Sequence, residues 1–387
     1  MKMRLLKDLD VKQKKVIVRV DFNVPLDTHG RVVDDTRIRA ALPTIKYLLK
    51  QKAAIILISH LGRPGGKVVE GLRMNSVAKR LQTLLKKKVV KLDECISPDV
   101  EDAAEKLKPG EIILLENVRF NPEEEANNPD FAGALASLGK VFVSDAFGTL
   151  HRSHASVVGI AKRLPSAAGF LVEKEVKQLS KLLKKPKKPF VAVLGGAKVS
   201  DKIEVIKNLL KKVDKLLIGG AMAYTLLKAQ GHGIGNSKFE PGKLGLAKKL
   251  LKLGKKKIVL PVDNVVAKEP KQKSKVVGVD IPDGLVGLDI GPETAALFCS
   301  AVKKAKTVFW NGPLGMFEVK QLAKGTNIVA KCISKVRGFT VVGGGDSVEA
   351  VKALKLEKKF SHVSTGGGAA LEFLEGKKLP GIIALEQ

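Results

Sequence analysis

Arg37, Arg63, Arg119 and Arg152 lie in the first half of the chain, at the ends of short apolar runs or in the loops beside them. A guanidinium fork meets carboxylate and phosphate oxygens two at a time, which an ammonium does not. Taken as a set, the four arginines suit a compact, triose-sized anion. Asp21 and Asn23 follow one apolar run, His60 and Arg63 the next, and Asp145 and Arg152 a later one. His60, in Ser-His-Leu-Gly-Arg-Pro (59–64), reads either as a ligand contact or as a satisfied turn residue. His154 offers a further hydrogen bond. His151 and His154 stand three apart with no acidic or cysteine companions, which argues against zinc.

The second half carries glycine in the corresponding places: Gly195-Gly196, Gly219-Gly220, Gly312 and Gly315, Gly343–Gly345, and Gly366–Gly368. One such pair is an ordinary tight turn. Five of them bring backbone close to something flat and phosphorylated, as a nucleotide site requires. Gly366, Gly367 and Gly368 precede Ala369-Ala370-Leu371, so free N–H groups and a positive helix end would meet a phosphate there. Gly344, Gly345, Asp346 and Ser347 add a carboxylate suited to a magnesium ion on nucleotide phosphates. Lys198 and Lys202 are four apart; with a helix starting near Ser200 both would face one crevice. No Gly-x-x-x-x-Gly-Lys-Ser/Thr run exists, which excludes a P-loop. The strand ending at Ser364-Thr365 lacks the acidic residue that grips a ribose diol in dinucleotide enzymes, which disfavours a dehydrogenase.

These residues must be positioned by alternating strands and helices. Val/Ile-rich runs predict strands at Val16–Val20, Ala54–Ile58, Glu111–Leu115, Val141–Ser144, Phe190–Leu194, Lys215–Ile218, Lys257–Leu260, Thr307–Trp310, Phe339–Val342 and His362–Ser364. Amphipathic stretches such as Arg39–Gln51, Ser76–Lys87 and Lys202–Lys212 lie between them. This alternation predicts an α/β fold with mostly parallel sheets, in which ligands bind beyond the carboxyl ends of the strands. At 387 residues the chain is long enough for two domains. A helical segment at Leu171–Lys185, followed by Lys-Lys-Pro-Lys-Lys-Pro, is the expected connector.

Apolar residues make up 44%, which excludes global disorder. The excess of 69 Lys+Arg over 39 Asp+Glu leaves a formal net charge of +30. Such a field draws in anions, and a basic nucleic-acid-binding protein is the rival reading from another class. The lysine clusters, however, have no interleaved aromatics on which bases could stack. The three cysteines are isolated, and their odd number argues against a disulfide framework. With no apolar leader in the first fifteen residues and no membrane-length apolar run, the expected compartment is the reducing cytoplasm.

Eight motifs together resemble the phosphoglycerate kinase family, in order and over nearly the whole chain: Val-Arg-Val-Asp-Phe-Asn-Val-Pro (18–25), Ser-His-Leu-Gly-Arg-Pro (59–64), Glu-Asn-Val-Arg-Phe (116–120), Asp-Ala-Phe-Gly-Thr-Leu-His-Arg-Ser-His-Ala-Ser (145–156), Gly-Gly-Ala-Lys-Val-Ser-Asp-Lys (195–202), Trp-Asn-Gly-Pro-Leu-Gly-Met-Phe-Glu (310–318), Gly-Gly-Gly-Asp-Ser (343–347) and Ser-Thr-Gly-Gly-Gly-Ala (364–369). The resemblance implies two Rossmann-like domains joined by a hinge helix. The N-terminal one would span 1–170, with a tail, 374–387, packing back on it. The connector would span 171–188 and the nucleotide domain 189–373. It implies reversible phosphoryl transfer from 1,3-bisphosphoglycerate to ADP, with magnesium, by hinge-bending closure. It implies that Asp21, Asn23, Arg37, His60, Arg63, Arg119 and Arg152 hold 3-phosphoglycerate. Gly195, Lys198, Gly219, Gly220, Asn311, Pro313, Glu318 and Gly344 to Ser347 would hold the nucleotide, with Glu318 on the ribose and Asp346 on the metal. Arg37, Lys198, Lys202, Gly366 and Gly367 would act on the transferring group. A monomer acting on small molecules, with no nucleic-acid or membrane partner, is also implied. Ser144 stands where the family commonly has Asn, and Ser347 where it often has Thr. Another acyl-phosphate kinase with a different small acid is the closer enzymatic rival.

Overall fold

Runs of Val, Ile and Leu with no polar face have to be covered on both sides, and the chain meets that demand twice. The computed structural model describes residues 3–386. It divides into two compact units: one runs to Lys177 and resumes from Lys378, and the other is Gln178–Lys377.

The first unit holds β1 (Lys15–Val20), β2 (Ala54–Ile58), β3 (Val90–Lys91), β4 (Ile112–Leu114), β5 (Val141–Asp145) and β6 (Ser166–Ala168). They form one sheet in the order β3-β4-β2-β1-β5-β6, parallel throughout. Every residue of β2, Ala-Ile-Ile-Leu-Ile, is buried. The helix Thr36–Lys50 buries Ile38, Ala41, Ile45 and Leu48, the three-and-four spacing of a single face. From β1 the chain lays β2 on one side and returns with β5 on the other. The order therefore reverses at β1, and the crevice beyond its carboxyl end is where such a sheet accepts a ligand.

The second unit holds β7 (Phe190–Leu194), β8 (Lys215–Ile218), β9 (Ile258–Val259), β10 (Asp263–Ala267), β11 (Lys275–Gly278), β12 (Val286–Ile290), β13 (Thr307–Asn311), β14 (Phe339–Gly343) and β15 (His362–Val363). Six form a second parallel sheet, β15-β14-β13-β7-β8-β9, and three an antiparallel sheet, β11-β10-β12. The reversal here falls between β7 and β13. Trp310 on β13 is fully buried and donates Nε1–H to the Gly312 carbonyl at 2.8 Å.

The predicted strands match observed ones to within a residue or so at each end. β3, β6 and the antiparallel sheet have no counterpart among them: β3 and β6 have only two and three residues, and the antiparallel strands carry Asp, Lys and Gly, so pairing rather than period makes them extended. A second departure is covalent. Cys299, on the helix Pro292–Lys303, is bonded to Cys332, on Lys324–Ile333, with Cα atoms 5.6 Å apart. The expectation of isolated thiols fails because helix packing, which a spacing rule does not see, brings together cysteines 33 residues apart. Cys95 is the odd thiol and is buried.

The chain passes from the first unit to the second within the helix Phe170–Leu183. Its leading N–H groups are held inside the first unit: Leu171 and Val172 donate to Asp145 Oδ1 at 2.9 and 3.4 Å, and Phe170 donates to Thr44 Oγ1 at 2.9 Å. At the other end of the chain, Gly381 N–H donates to the Leu150 carbonyl at 2.9 Å. Among the described residues no helix is long and apolar enough to cross a membrane.

Candidate active site

Beyond the carboxyl end of β1, polar side chains converge from four strands. Asp21 is buried and accepts both 2.9 and 3.0 Å bonds from Arg37 Nη1. The pair uses a single nitrogen of Arg37, whose helix starts at Thr36. The loop after β2 is tied in by Gly62: its N–H donates to Asn23 Oδ1 at 2.8 Å, and its carbonyl accepts from Arg119 Nη1 at 2.8 Å. Asn117 holds the same loop, accepting from Leu61 N–H and donating to the Leu61 carbonyl at 2.7 Å. His60 is buried between these segments. Arg63 is exposed and Arg152 half-buried, and neither is engaged in an ion pair among the described residues.

The electrostatics are those of a cation cluster short of counter-charge. Burial lowers Arg119 to about 10, and Arg152 and Arg19 push it further the same way against Glu125 and Glu124. His60 is held well below the usual histidine range by burial and then by Arg19, Arg119, Arg37 and Arg152. His151 falls to about 4 for the same reasons, burial first and then Arg152. Charges that depress one another in this way are relieved when an anion enters.

In the second unit the crevice at β7 and β13 is lined by backbone. Gly195 N–H donates to the Asn311 carbonyl at 2.9 Å, Gly196 N–H to the Pro313 carbonyl at 3.0 Å, and Gly220 N–H to the Leu314 carbonyl at 2.9 Å. A Cβ on Gly195 would lie 1.9 Å from the Pro313 oxygen, so only glycine permits this approach. Gly219 is the first residue beyond β8 and donates to the Leu194 carbonyl at 2.9 Å. Gly344 has φ +90°, which favours glycine, and a Cβ there would strike Asn311 Nδ2 at 2.7 Å. Asn311 Nδ2–H donates to the Gly343 carbonyl at 2.9 Å, and Ser347 Oγ accepts from Gly312 N–H. Thus Ser347 braces the β13 loop and is itself fully buried.

Lys202 is drawn into this crevice. Its Nζ–H groups meet Asn311 Oδ1 at 2.8 Å, the Asn311 carbonyl at 3.2 Å and the Gly195 carbonyl. Burial lowers it to about 8, partly opposed by Asp346 and Asp201. Lys198, by contrast, is exposed. The segment expected to start a helix near Ser200 is a short turn of 3₁₀ helix at Ser200–Lys202, and it separates the two lysines. Asp346 is exposed in the first turn of the helix Gly345–Ala353, and Glu318 is exposed after β13. In the loop before the helix Gly368–Leu374, Gly366 N–H donates to Ser364 Oγ at 3.1 Å. No cluster of three or more metal-ligating side chains exists among the described residues. A lone Asp346 carboxylate fits a magnesium ion that keeps waters and phosphate oxygens as its remaining ligands.

Two switch-point crevices, one cationic and one glycine-lined, describe a phosphotransferase, and comparison with known proteins agrees. The family model for phosphoglycerate kinase matches residues 6–377. The chain belongs to the phosphoglycerate kinase family. Curated phosphoglycerate kinases of Moorella thermoacetica and Pelotomaculum thermopropionicum are 57% and 52% identical to it, each over 99% of this chain and 98% of the relative. The structure of phosphoglycerate kinase from Coxiella burnetii superposes with a TM-score of 0.88 at 41% identity, covering 99% of both chains. That from Pyrococcus horikoshii gives 0.89 at 32% identity, covering 99% of this chain and 98% of the other.

Four residues of the kinase's first crevice were not singled out from sequence: Arg19, Asn117, Glu124 and Ser156, all buried. Asn117 and Ser156 lie inside motifs quoted above, and Arg19 carried a signal of its own, being the one charge inside the otherwise apolar Val-Ile-Val-Arg-Val. A charge at such a position must find a partner.

Proposed function

We propose that the chain transfers a phosphoryl group reversibly between 1,3-bisphosphoglycerate and ADP, giving 3-phosphoglycerate and ATP, with the triose held by the first unit and the nucleotide by the second. The observation that carries this reading is the under-compensated cluster of Arg19, Arg37, Arg119 and Arg152 around His60, in which Arg152 has no acidic partner among the described residues. Asp21, Asn23, Arg37, His60, Arg63, Arg119 and Arg152 then hold 3-phosphoglycerate. Gly195, Lys198, Gly219, Gly220, Asn311, Pro313, Glu318, Gly344, Gly345, Asp346 and Ser347 hold the nucleotide.

The bond that breaks joins phosphorus to the acyl oxygen, and the carboxylate leaves with that electron pair. The bond that forms joins phosphorus to an oxygen of the ADP terminal phosphate. Nucleophile and leaving group are both ionised at neutral pH, so no general base is required. What has to be stabilised is negative charge spread over a moving PO₃ group, by position and electrostatics. Arg37 and Lys202 act there, helped by Lys198 and by N–H groups at Gly366, Gly367 and Gly368. A phosphate carries more charge than the neutral oxygens that hold Lys202 Nζ, and so draws it out of that cradle. Asp346 would hold a magnesium ion, which when bound would neutralise charge on the nucleotide phosphates. Closure of the two units brings the substrates in line and excludes water, which would hydrolyse the acyl phosphate. The enzyme acts in glycolysis and gluconeogenesis; the family resemblance supports a monomer, and the lack of an apolar leader in the first fifteen residues supports the cytoplasm.

The test is ATP consumption dependent on 3-phosphoglycerate and magnesium, coupled to NADH oxidation through glyceraldehyde-3-phosphate dehydrogenase. Wild type should turn over, and a folded Arg37→Ala should lose about 10²–10³ of that rate. A folded, nucleotide-binding wild type without turnover would sink the reading in favour of another small acid.

A further inference from the structure

Arg19 lies in the central strand of the first unit, 1% exposed, and the proposed function gives it no task. Its fork has three separate partners. Nε donates to Ser156 Oγ at 2.8 Å, Nη1 donates to the Val20 carbonyl, and Nη2 lies 3.1 Å from His60 Nδ1. Ser156 is itself fixed from behind: its hydroxyl donates to Glu124 Oε1 at 2.6 Å, and its N–H donates to Glu124 Oε2 at 2.8 Å. Glu124 is wholly buried. Burial alone would raise its pKa, but His154, Arg19 and Ser156 outweigh that and keep it below the usual carboxylate range. A carboxylate, a hydroxyl, a guanidinium and an imidazole thus run in one buried line toward the anion crevice.

The direction of each bond in that line is forced. A guanidinium has donors only, so at the 3.1 Å contact His60 Nδ1 is the acceptor and carries no proton. The ring proton is then on Nε2. A second proton is opposed by burial and by the surrounding guanidinium charges. An imidazole with a bare nitrogen toward a phosphate or carboxylate would repel it, whereas an N–H donates to it.

We propose that Arg19 is a positioning residue that locks His60 as the neutral Nε2–H tautomer, so that the imidazole always presents a donor to the bound anion. Glu124 and Ser156 keep the Arg19 fork from turning away. The proposal rests on the crevice being the 3-phosphoglycerate site, and its test separates the two.

The experiment uses the full chain with ¹⁵N-labelled histidine and two-bond ¹H–¹⁵N correlation spectra, with His60 assigned by its loss in His60→Gln. In wild type, His60 should show an unprotonated Nδ1 and a protonated Nε2 throughout the range in which an ordinary histidine titrates. In Arg19→Met the two tautomers should mix or the ring should titrate. The KM for 3-phosphoglycerate should rise about tenfold, the scale of one lost charge-assisted hydrogen bond, with kcat little changed. Arg19→Lys, which keeps one donor, should recover part of both effects. A wild-type His60 protonated on Nδ1, or charged across that range, overturns the proposal without any variant having to fold. So does a folded Arg19→Met that keeps the single tautomer, or one that mixes tautomers with KM unmoved. If His60→Gln leaves KM for 3-phosphoglycerate unchanged, the reading of the crevice fails, whatever the tautomer.

Discussion

Lys202 is a cation held by three oxygens that bear no formal charge. Such a cradle keeps the ammonium in place but compensates its burial poorly, and its pKa falls to about 8 as a result. At pH 7 the group is mostly charged; above about 8 it is mostly neutral and has nothing to offer a phosphate. The kcat/KM for nucleotide should therefore fall as pH rises through about 8. The same ratio for 3-phosphoglycerate, measured at saturating nucleotide, should lack that limb, since a bound phosphate holds the proton on. Lys202→Arg, which stays charged over this range, should lose the limb while running more slowly. An unchanged profile in that variant would mean another group titrates.

Two helix-scale devices carry consequences for stability. The first is Asp145, wholly buried, whose Oδ1 accepts the leading N–H groups of the helix Phe170–Leu183 while Oδ2 has no hydrogen-bond partner among the described residues. Burial raises it from 3.8 to about 7, more than the bonds from Thr44, Leu171 and Val172 lower it. Between those two values the folded chain holds a proton that the unfolded chain has released. Stability from this group is thus fully present below about pH 4, is lost as pH rises through about 7, and is then level. Asp289, raised to about 7 by burial, adds in the same direction. Every tenfold gain in proton affinity on folding is worth about 1.4 kcal/mol. Denaturant midpoints at mildly acidic and alkaline pH should differ less in Asp145→Asn than in wild type; an equal difference would discount Asp145. The second device is the Cys299–Cys332 bond between the helices Pro292–Lys303 and Lys324–Ile333. It encloses β13 and the loop to Glu318. Reduction, or Cys299→Ser with Cys332→Ser, should cost about 2–4 kcal/mol. Calorimetry should place that loss in the unfolding of the second unit, and no change in its transition would show the bond adds nothing.

For the molecule as a whole, the net charge of +30 means that exposed lysines repel one another while attracting anionic substrates. The reaction itself demands more than attraction. On the proposed reading each substrate has its own unit, and closure with both sites filled is the step that would unite them, since phosphorus cannot pass through bulk water. The radius of gyration from solution scattering should fall with 3-phosphoglycerate and nucleotide together, and less with either alone. Equal values in all four states would count against closure as the assembling step.

How much of this was legible beforehand depends on the range of the interaction. The apolar runs that became β1, β2, β5, β7 and β13 declare themselves, because a strand buried on both faces has no polar residues to spare. Which residues follow those strands is then fixed by simple succession along the chain, so Asp21, His60, Arg152 and Asn311 could be placed at carboxyl ends with no coordinates. The chain alone also determined the family, through motifs whose order chance does not reproduce. The tertiary structure alone decided what each side chain touches. That Lys202 turns inward while Lys198 stays out follows from a 3₁₀ turn and the closeness of Asn311, 109 residues away. That Arg19 meets His60 across two strands, and Cys299 meets Cys332 across two helices, follows from sheet order and helix packing. Local sequence determines which way a backbone runs; partners distant in the chain meet only when the whole core has closed.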